Sequence, residues 1–207
     1  MRTFITSLVL SVAITTQAQT FRQIEPGVFL LAAGQEDAHT PLRYKEPVAK
    51  QLKDMPATDN PFAKEGIHIE VNARGCVVDI PLAADENIYG FGLQMGSFVQ
   101  NNKKKRPLVN DHPLKDLGYT HAPQPFYISN KGYAVLINIA RYTTFYIGTN
   151  RKNTDYTPSE DSQKAKLSTD ELYRSSAQSG SKPRVQVDIP GAKGISVLVF
   201  AGTDMKA

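Results

Sequence analysis

Pro125-Phe126-Tyr127-Ile128-Ser129-Asn130-Lys131-Gly132-Tyr133-Ala134-Val135-Leu136-Ile137-Asn138 is the stretch whose reading decides the fold. Two runs rich in apolar, β-branched and aromatic residues, Pro125–Ser129 and Tyr133–Ala140, flank Asn130-Lys131-Gly132. Asparagine and glycine tolerate the positive φ of a tight reversal, so the stretch predicts a β-hairpin. Segments of the same kind lie on either side. Ile67-His68-Ile69-Glu70-Val71 and Val185-Gln186-Val187-Asp188-Ile189 alternate apolar and polar residues, the period of a strand with one buried and one wet face. Ile67–Leu82 predicts a second hairpin around Asn72-Ala73-Arg74-Gly75, and Tyr142–Gly148 a further strand. Gly194–Gly202 (GISVLVFAG) is almost unbroken in apolar character, so it predicts a strand covered on both faces. Helical pattern is confined to two turns at Pro47–Met55 and one at Thr169–Ser175. The 13 prolines and 14 glycines punctuate short strands, and the fold class follows: all-β, an antiparallel sandwich or barrel. Thr149–Arg184 is polar and predicts a long surface excursion, because β pattern resumes after it.

Composition sets the bounds. A chain of 207 residues fits one domain with a real core, and 41% hydrophobic with 21% charged residues is ordinary for a globular protein. A net charge of +4 is too mild to imply a nucleic-acid partner, which needs a focused basic face. One cysteine permits no intramolecular disulfide, and no Cys/His zinc spacing exists, so neither a metal nor another cofactor is predicted. Residues 1–18 have the pattern of a secretory signal peptide: Arg2, then the short apolar run Phe4–Ile14, then Thr16-Gln17-Ala18. That run is shorter than the roughly 20 residues needed to span a bilayer, and no other stretch qualifies. The expectation is a domain at 19–207 exported to the periplasm or secreted, with one Cys and no Asn-x-Ser/Thr sequon pointing to a bacterial source.

The chemistry-bearing stretch runs from Glu86 to Arg141. In Glu86-Asn87-Ile88-Tyr89-Gly90-Phe91-Gly92-Leu93-Gln94, glycines at alternate positions bare one face of a strand. That permits a bulge, or close approach of another backbone or a ligand. The G-F-G spacing is not a dinucleotide fingerprint. A polar loop follows, Asn101–Gln124, with Lys103-Lys104-Lys105-Arg106, Asn110-Asp111-His112-Pro113, Asp116 and Thr120-His121-Ala122-Pro123. Loops longer than about 15 residues without structure of their own are functional or disordered. Carboxylate, amide, imidazole and ammonium groups suit sugar hydroxyls. They equally suit a solvated loop in which Asp111 caps a turn. The His and Asp spacing fits no metal motif, and there is no G-x-S-x-G elbow. Cys76, within Cys76-Val77-Val78-Asp79-Ile80, has the setting of a small core residue.

Taken together, Glu86–Gln94, Asn110–Pro113 and Pro125–Asn138 resemble the N-terminal domain of glycoside hydrolase family 31. There a Y-G-x-G strand precedes a polar loop and then P-F-y-x-S-x-x-G-Y-g-v-x-x-N. Val199–Met205 is similar to the family's last sandwich strand. The resemblance implies a galactose-mutarotase-like β-sandwich packed on a (β/α)₈ barrel. It also implies retaining α-glycosidase activity in the parent enzyme, through two Asp about 5–5.5 Å apart. In the family both lie on barrel loops, the nucleophile beside a Trp. This chain has no Trp, and a barrel needs about 200 residues or more, so the resemblance implies no catalytic residue here and a missing C-terminal catalytic barrel as partner. Asp111 matches the family's loop Asp that reaches the sugar pocket, where a carboxylate accepting two hydroxyls orients an α-linked oligosaccharide without doing chemistry. Asn110, His112 and His121 share that loop and complete the candidate substrate-binding set; neither His has a firm family counterpart. The stretch before Asp111 lacks the Trp common in α-glucosidases and α-xylosidases and carries Lys103–Arg106, which leaves glucose, xylose, galactose and N-acetylated substrates open. The leading expectation is a non-catalytic domain of an exported α-glycosidase, with an exposed apolar patch for the barrel. The alternatives are a stand-alone carbohydrate-binding module, which needs an accessible Tyr or Phe platform, and a small aldose epimerase using His112, His121 and Asp111 as acid and base.

Overall fold

The structure is a computed structural model that describes residues 19–44, 58–63, 66–94, 96–109, 119–149 and 183–202. Eleven strands and one short helix occur among them: β1 (Thr20–Glu25), β2 (Val28–Gly34), α1 (Pro41–Tyr44), β3 (His68–Asn72), β4 (Gly75–Pro81), β5 (Ile88–Gly90), β6 (Lys103–Lys105), β7 (Phe126–Ser129), β8 (Tyr133–Ile137), β9 (Thr144–Ile147), β10 (Arg184–Pro190) and β11 (Gly194–Ala201). They form a six-stranded sheet, β1-β2-β11-β8-β7-β5, and a five-stranded sheet, β3-β4-β10-β9-β6, with every pairing antiparallel. The fold is a β-sandwich.

Both hairpins form where the turn chemistry places them. Asn72 pairs with Gly75 across Ala73-Arg74, and Ser129 pairs with Tyr133 across the Asn130–Gly132 turn. Asn72 Oδ1 accepts from the amides of Arg74 and Gly75 at 2.9 and 3.2 Å, closing its turn with a side chain. The inward residues alternate as expected. Ile69, Cys76, Val78, Ile80, Phe145, Ile147, Val185, Val187 and Ile189 of one sheet meet Phe29, Leu31, Tyr127, Val135, Ile137, Val197 and Val199 of the other in one core. Arg184 and Asp79, cross-strand neighbours of the five-stranded sheet, form an ion pair on its outer face.

The outer faces differ. On the five-stranded sheet, Lys104, Asp79, Gln186 and Asp188 alternate with the core residues, and that face is polar. On the six-stranded sheet, the register lines up Leu30, Leu198, Leu136 and Phe126 across four strands. Leu198 is 0% exposed although it lies outside the central core, so β11 is covered on both faces. Part of the cover is α1, whose Leu42 amide donates to Asn138 Oδ1 at 3.1 Å while Asn138 Nδ2 donates to Ser196 Oγ at 2.9 Å.

Two expectations change. Asn101–Gln124 is not without structure: β6 lies inside it and pairs with β9 as the edge of the five-stranded sheet. Strand β9 is also shorter than Tyr142–Gly148, because Tyr142 is exposed and Thr143 turns its hydroxyl back to the Arg141 carbonyl. The signal peptide at 1–18, the helical patterns at Pro47–Met55 and Thr169–Ser175, and nearly all of the Thr149–Arg184 excursion lie outside the described residues. No helix among the described residues is long and apolar enough to cross a membrane.

Candidate functional site

The polar loop opens from a backbone clamp. After β5 the chain passes through three consecutive residues with positive φ, Gly90 (121°), Phe91 (65°) and Gly92 (96°). This is the close approach that alternate glycines allow, and the partner is another backbone. A Cβ on Gly92 would lie 2.3 Å from the Ala122 carbonyl oxygen, and one on Gly90 would lie 2.8 Å from that of Phe126. Phe91 is a bulky residue held in the left-handed region, a costly conformation that persists only when its surroundings over-determine it. They do: its amide donates to Phe126 O at 2.8 Å, and its ring is buried 4.7 Å from that of Phe145.

The clamp then binds the two stems of the loop together. Leu93 N donates to His121 O at 2.9 Å and Thr120 N to Leu108 O at 3.0 Å, with isolated bridges Leu93–His121 and Val109–Thr120. The Thr120 hydroxyl lies 2.7 Å from Leu93 O. Val109 and Thr120 therefore stand side by side, and the chain between them leaves and returns at one place. Beside the stems, Lys105 is 1% exposed and its Nζ donates to Gln94 Oε1 at 3.0 Å. Facing Lys105 inward from an edge strand places a charge where a further strand would otherwise pair, which protects the edge. Lys104 points outward and lies 5.5 Å over the Tyr146 ring.

Of the four sequence candidates, Asn110, Asp111 and His112 lie outside the described residues, as does Asp116. His121 is described and half-buried, and its carbonyl accepts from both Leu93 N and the Thr120 hydroxyl. Its backbone thus belongs to the loop stem. Among the described residues no group of three or more His, Cys, Asp and Glu gathers as a metal site. On the stems, Leu93 and Val109 are exposed by 59 and 69%, and Phe98, between β5 and β6, by 83%. The sequence reading overlooked Gln94 and the inward Lys105, since a KKKR run carries no sign of which lysine faces the core.

A second polar centre lies at the other end of β5. Glu86 is buried; its Oε1 accepts from Ser129 Oγ at 2.5 Å and from the Tyr133 hydroxyl, and its Oε2 from Ala83 N at 2.8 Å. Burial first, then the neighbouring Tyr127 and Glu86, drives the Tyr133 hydroxyl far above its ordinary range. Tyr127 is raised by burial and then by Glu86. Cys76 is buried in the core as its setting implied, and burial pushes its thiol up to about 11.

No protein-family model matches the sequence, and no curated protein matches it. Among solved structures the chain is similar to a glycoside hydrolase family 31 dextranase from Flavobacterium johnsoniae, solved with glucose. Identity is 13%, the match covers 92% of this chain and 24% of the dextranase, and the TM-score is 0.55. It is also similar to a cycloalternan-forming enzyme from Listeria monocytogenes, solved with a pentasaccharide substrate, at 12% identity over 90% of this chain and 18% of that one, with a TM-score of 0.46. The fold is therefore one that a family 31 glycoside hydrolase contains. The chain spans about a quarter of the length of the dextranase it matches.

Proposed function

We propose that this chain is the non-catalytic N-terminal β-sandwich domain of an exported retaining α-glycosidase of family 31, packing on the catalytic barrel and lending the Asp111 loop to the sugar pocket. The observation that carries the reading is the clamped loop stem, with the exposed side chains Leu93 and Val109 on segments bridged to His121 and Thr120. A stem fixed by backbone bonds on a rigid sandwich can hold a carboxylate steady, which is the role of a positioning group. Exposed Leu93 and Val109 on the adjoining stems are the kind of surface that marks a protein interface, and Phe98 adds a further exposed ring. The fold likeness to the dextranase and the share of it covered support the same reading. That enzyme's glucose complex supports an α-linked, glucose-containing oligosaccharide as the ligand class. Asn110, His112 and His121 belong to the same loop sequence and supply secondary sugar contacts.

The test uses the intact gene product. Asp111→Ala lowers kcat/KM on an isomalto-oligosaccharide by about 10- to 100-fold, the cost of losing an orienting contact. An unchanged value overturns the role of Asp111. The chain alone hydrolyses no α-glucoside, and measurable turnover by it overturns the non-catalytic reading.

A further inference from the structure

The Glu86 end of the sandwich carries an open cavity of about 540 Å³, on the opposite side of β5 from the loop stems. Phe62, Pro81, Leu82 and Pro183 give it apolar walls, and Glu86 and Tyr133 line it as polar groups. That combination, an apolar cleft with a few converging polar atoms, is the usual form of a small-ligand site. The carboxylate is unusual in its company. It is 4% exposed, and its three described partners, Ser129 Oγ, the Tyr133 hydroxyl and Ala83 N, are all neutral donors. A buried carboxylate ordinarily has a cationic partner. The nearby cation, Lys131 at the cavity rim, is committed elsewhere, donating to Asp85 Oδ2 at 2.6 Å. Near the cluster the Tyr127 hydroxyl is buried and makes no hydrogen bond, so it does not donate to the carboxylate.

We propose that this cavity is a second binding site, for a primary ammonium carried on a compact apolar body. The ammonium supplies the cationic partner that Glu86 lacks among the described residues, and the body fills the walls formed by Phe62, Leu82 and the prolines. Three neutral donors hold the carboxylate in place without cancelling its charge. The Lys131–Asp85 pair leaves the rim without net charge to repel the ligand. This site is independent of the Asp111 loop, and failure of either reading leaves the other standing.

The experiment is an amide-resolved NMR titration of the full chain with n-butylammonium chloride, with n-butanol as the neutral control of similar shape. The ammonium is expected to shift the amides of Ala83, Glu86, Lys131 and Tyr133, and the alcohol to shift them at least about tenfold less at equal concentration, the ratio that loss of one charged contact of roughly 1.4 kcal/mol gives. Glu86→Gln keeps an acceptor for Tyr133 and abolishes the difference. Should that variant fail to fold, Ala84→Arg at the exposed rim fills the cavity with a tethered guanidinium and abolishes the response instead. No shift at these amides overturns the proposal, as do equal shifts from amine and alcohol, or a response that survives Ala84→Arg.

Discussion

Gly92 is the residue at which conformation and contact constrain the chain together. Its φ of 96° and the Ala122 carbonyl at 2.3 Å from any added Cβ leave no low-energy place for a side chain. Gly92→Ala is expected to lower stability by about 2 kcal/mol or more, measured as the urea midpoint, and to release the loop stem. Cys76 gives a prediction of a different kind. Its folded pKa of about 11 lies above the ordinary 9.0, so on raising the pH the unfolded state loses its proton first. The contribution is intact below pH 9.0 and is lost toward pH 11, at about 1.4 kcal/mol per unit. Stability measured by urea should therefore fall between about pH 9 and about pH 11, and Cys76→Ala should flatten part of that fall. The same burial makes the thiol inert to iodoacetamide until the protein unfolds. At this scale the sequence is partly legible. The alternating run around Cys76 signals its burial, and Gly90 with Gly92 signals a close approach. The Glu86 cluster is not legible, because Ser129 and Tyr133 lie 43 and 47 residues away and only the fold unites them.

Strands were legible where a clear polar–apolar alternation or an apolar run between turn residues marked them; β1 and the alternately buried β2, whose VFLLAAG lacks polar residues, were not anticipated. β3, β4, β7, β8 and β10 show the period of two that a half-buried strand imposes. β1 leaves nearly every residue exposed, so TFRQIE carries no such period, and it is a strand because β2 pairs with it. β6 is three lysines, a composition that says loop, and its strand character comes from hydrogen bonds to β9. β11 is the opposite case, since its unbroken apolar run correctly signalled two covered faces. Leu198 tests that point. It is 0% exposed on the outer side, so Leu198→Ala should cost about 2–4 kcal/mol by urea denaturation, as in a core. A cost near that of a surface substitution, below about 0.5 kcal/mol, would show that face to be open.

The whole molecule presents one end with a clamped loop and exposed apolar side chains and another with a cavity over a buried carboxylate. Leu93, Phe98 and Val109 are among the most exposed large apolar side chains of the described residues, with Tyr142, and the isolated domain should bind a hydrophobic dye and self-associate through them. Replacing all three with Ser should reduce dye fluorescence and light scattering severalfold without changing the far-UV circular dichroism. The central claim is that this sandwich is one part of a larger α-glycosidase, and sequencing the coding DNA past the codon for Ala207 tests it most directly. The account predicts an open frame of several hundred further codons encoding a barrel with a Trp-containing segment that carries an Asp nucleophile. A stop codon at that point would contradict it, leaving a stand-alone domain for which sugar binding around Asp111 is the activity to assay.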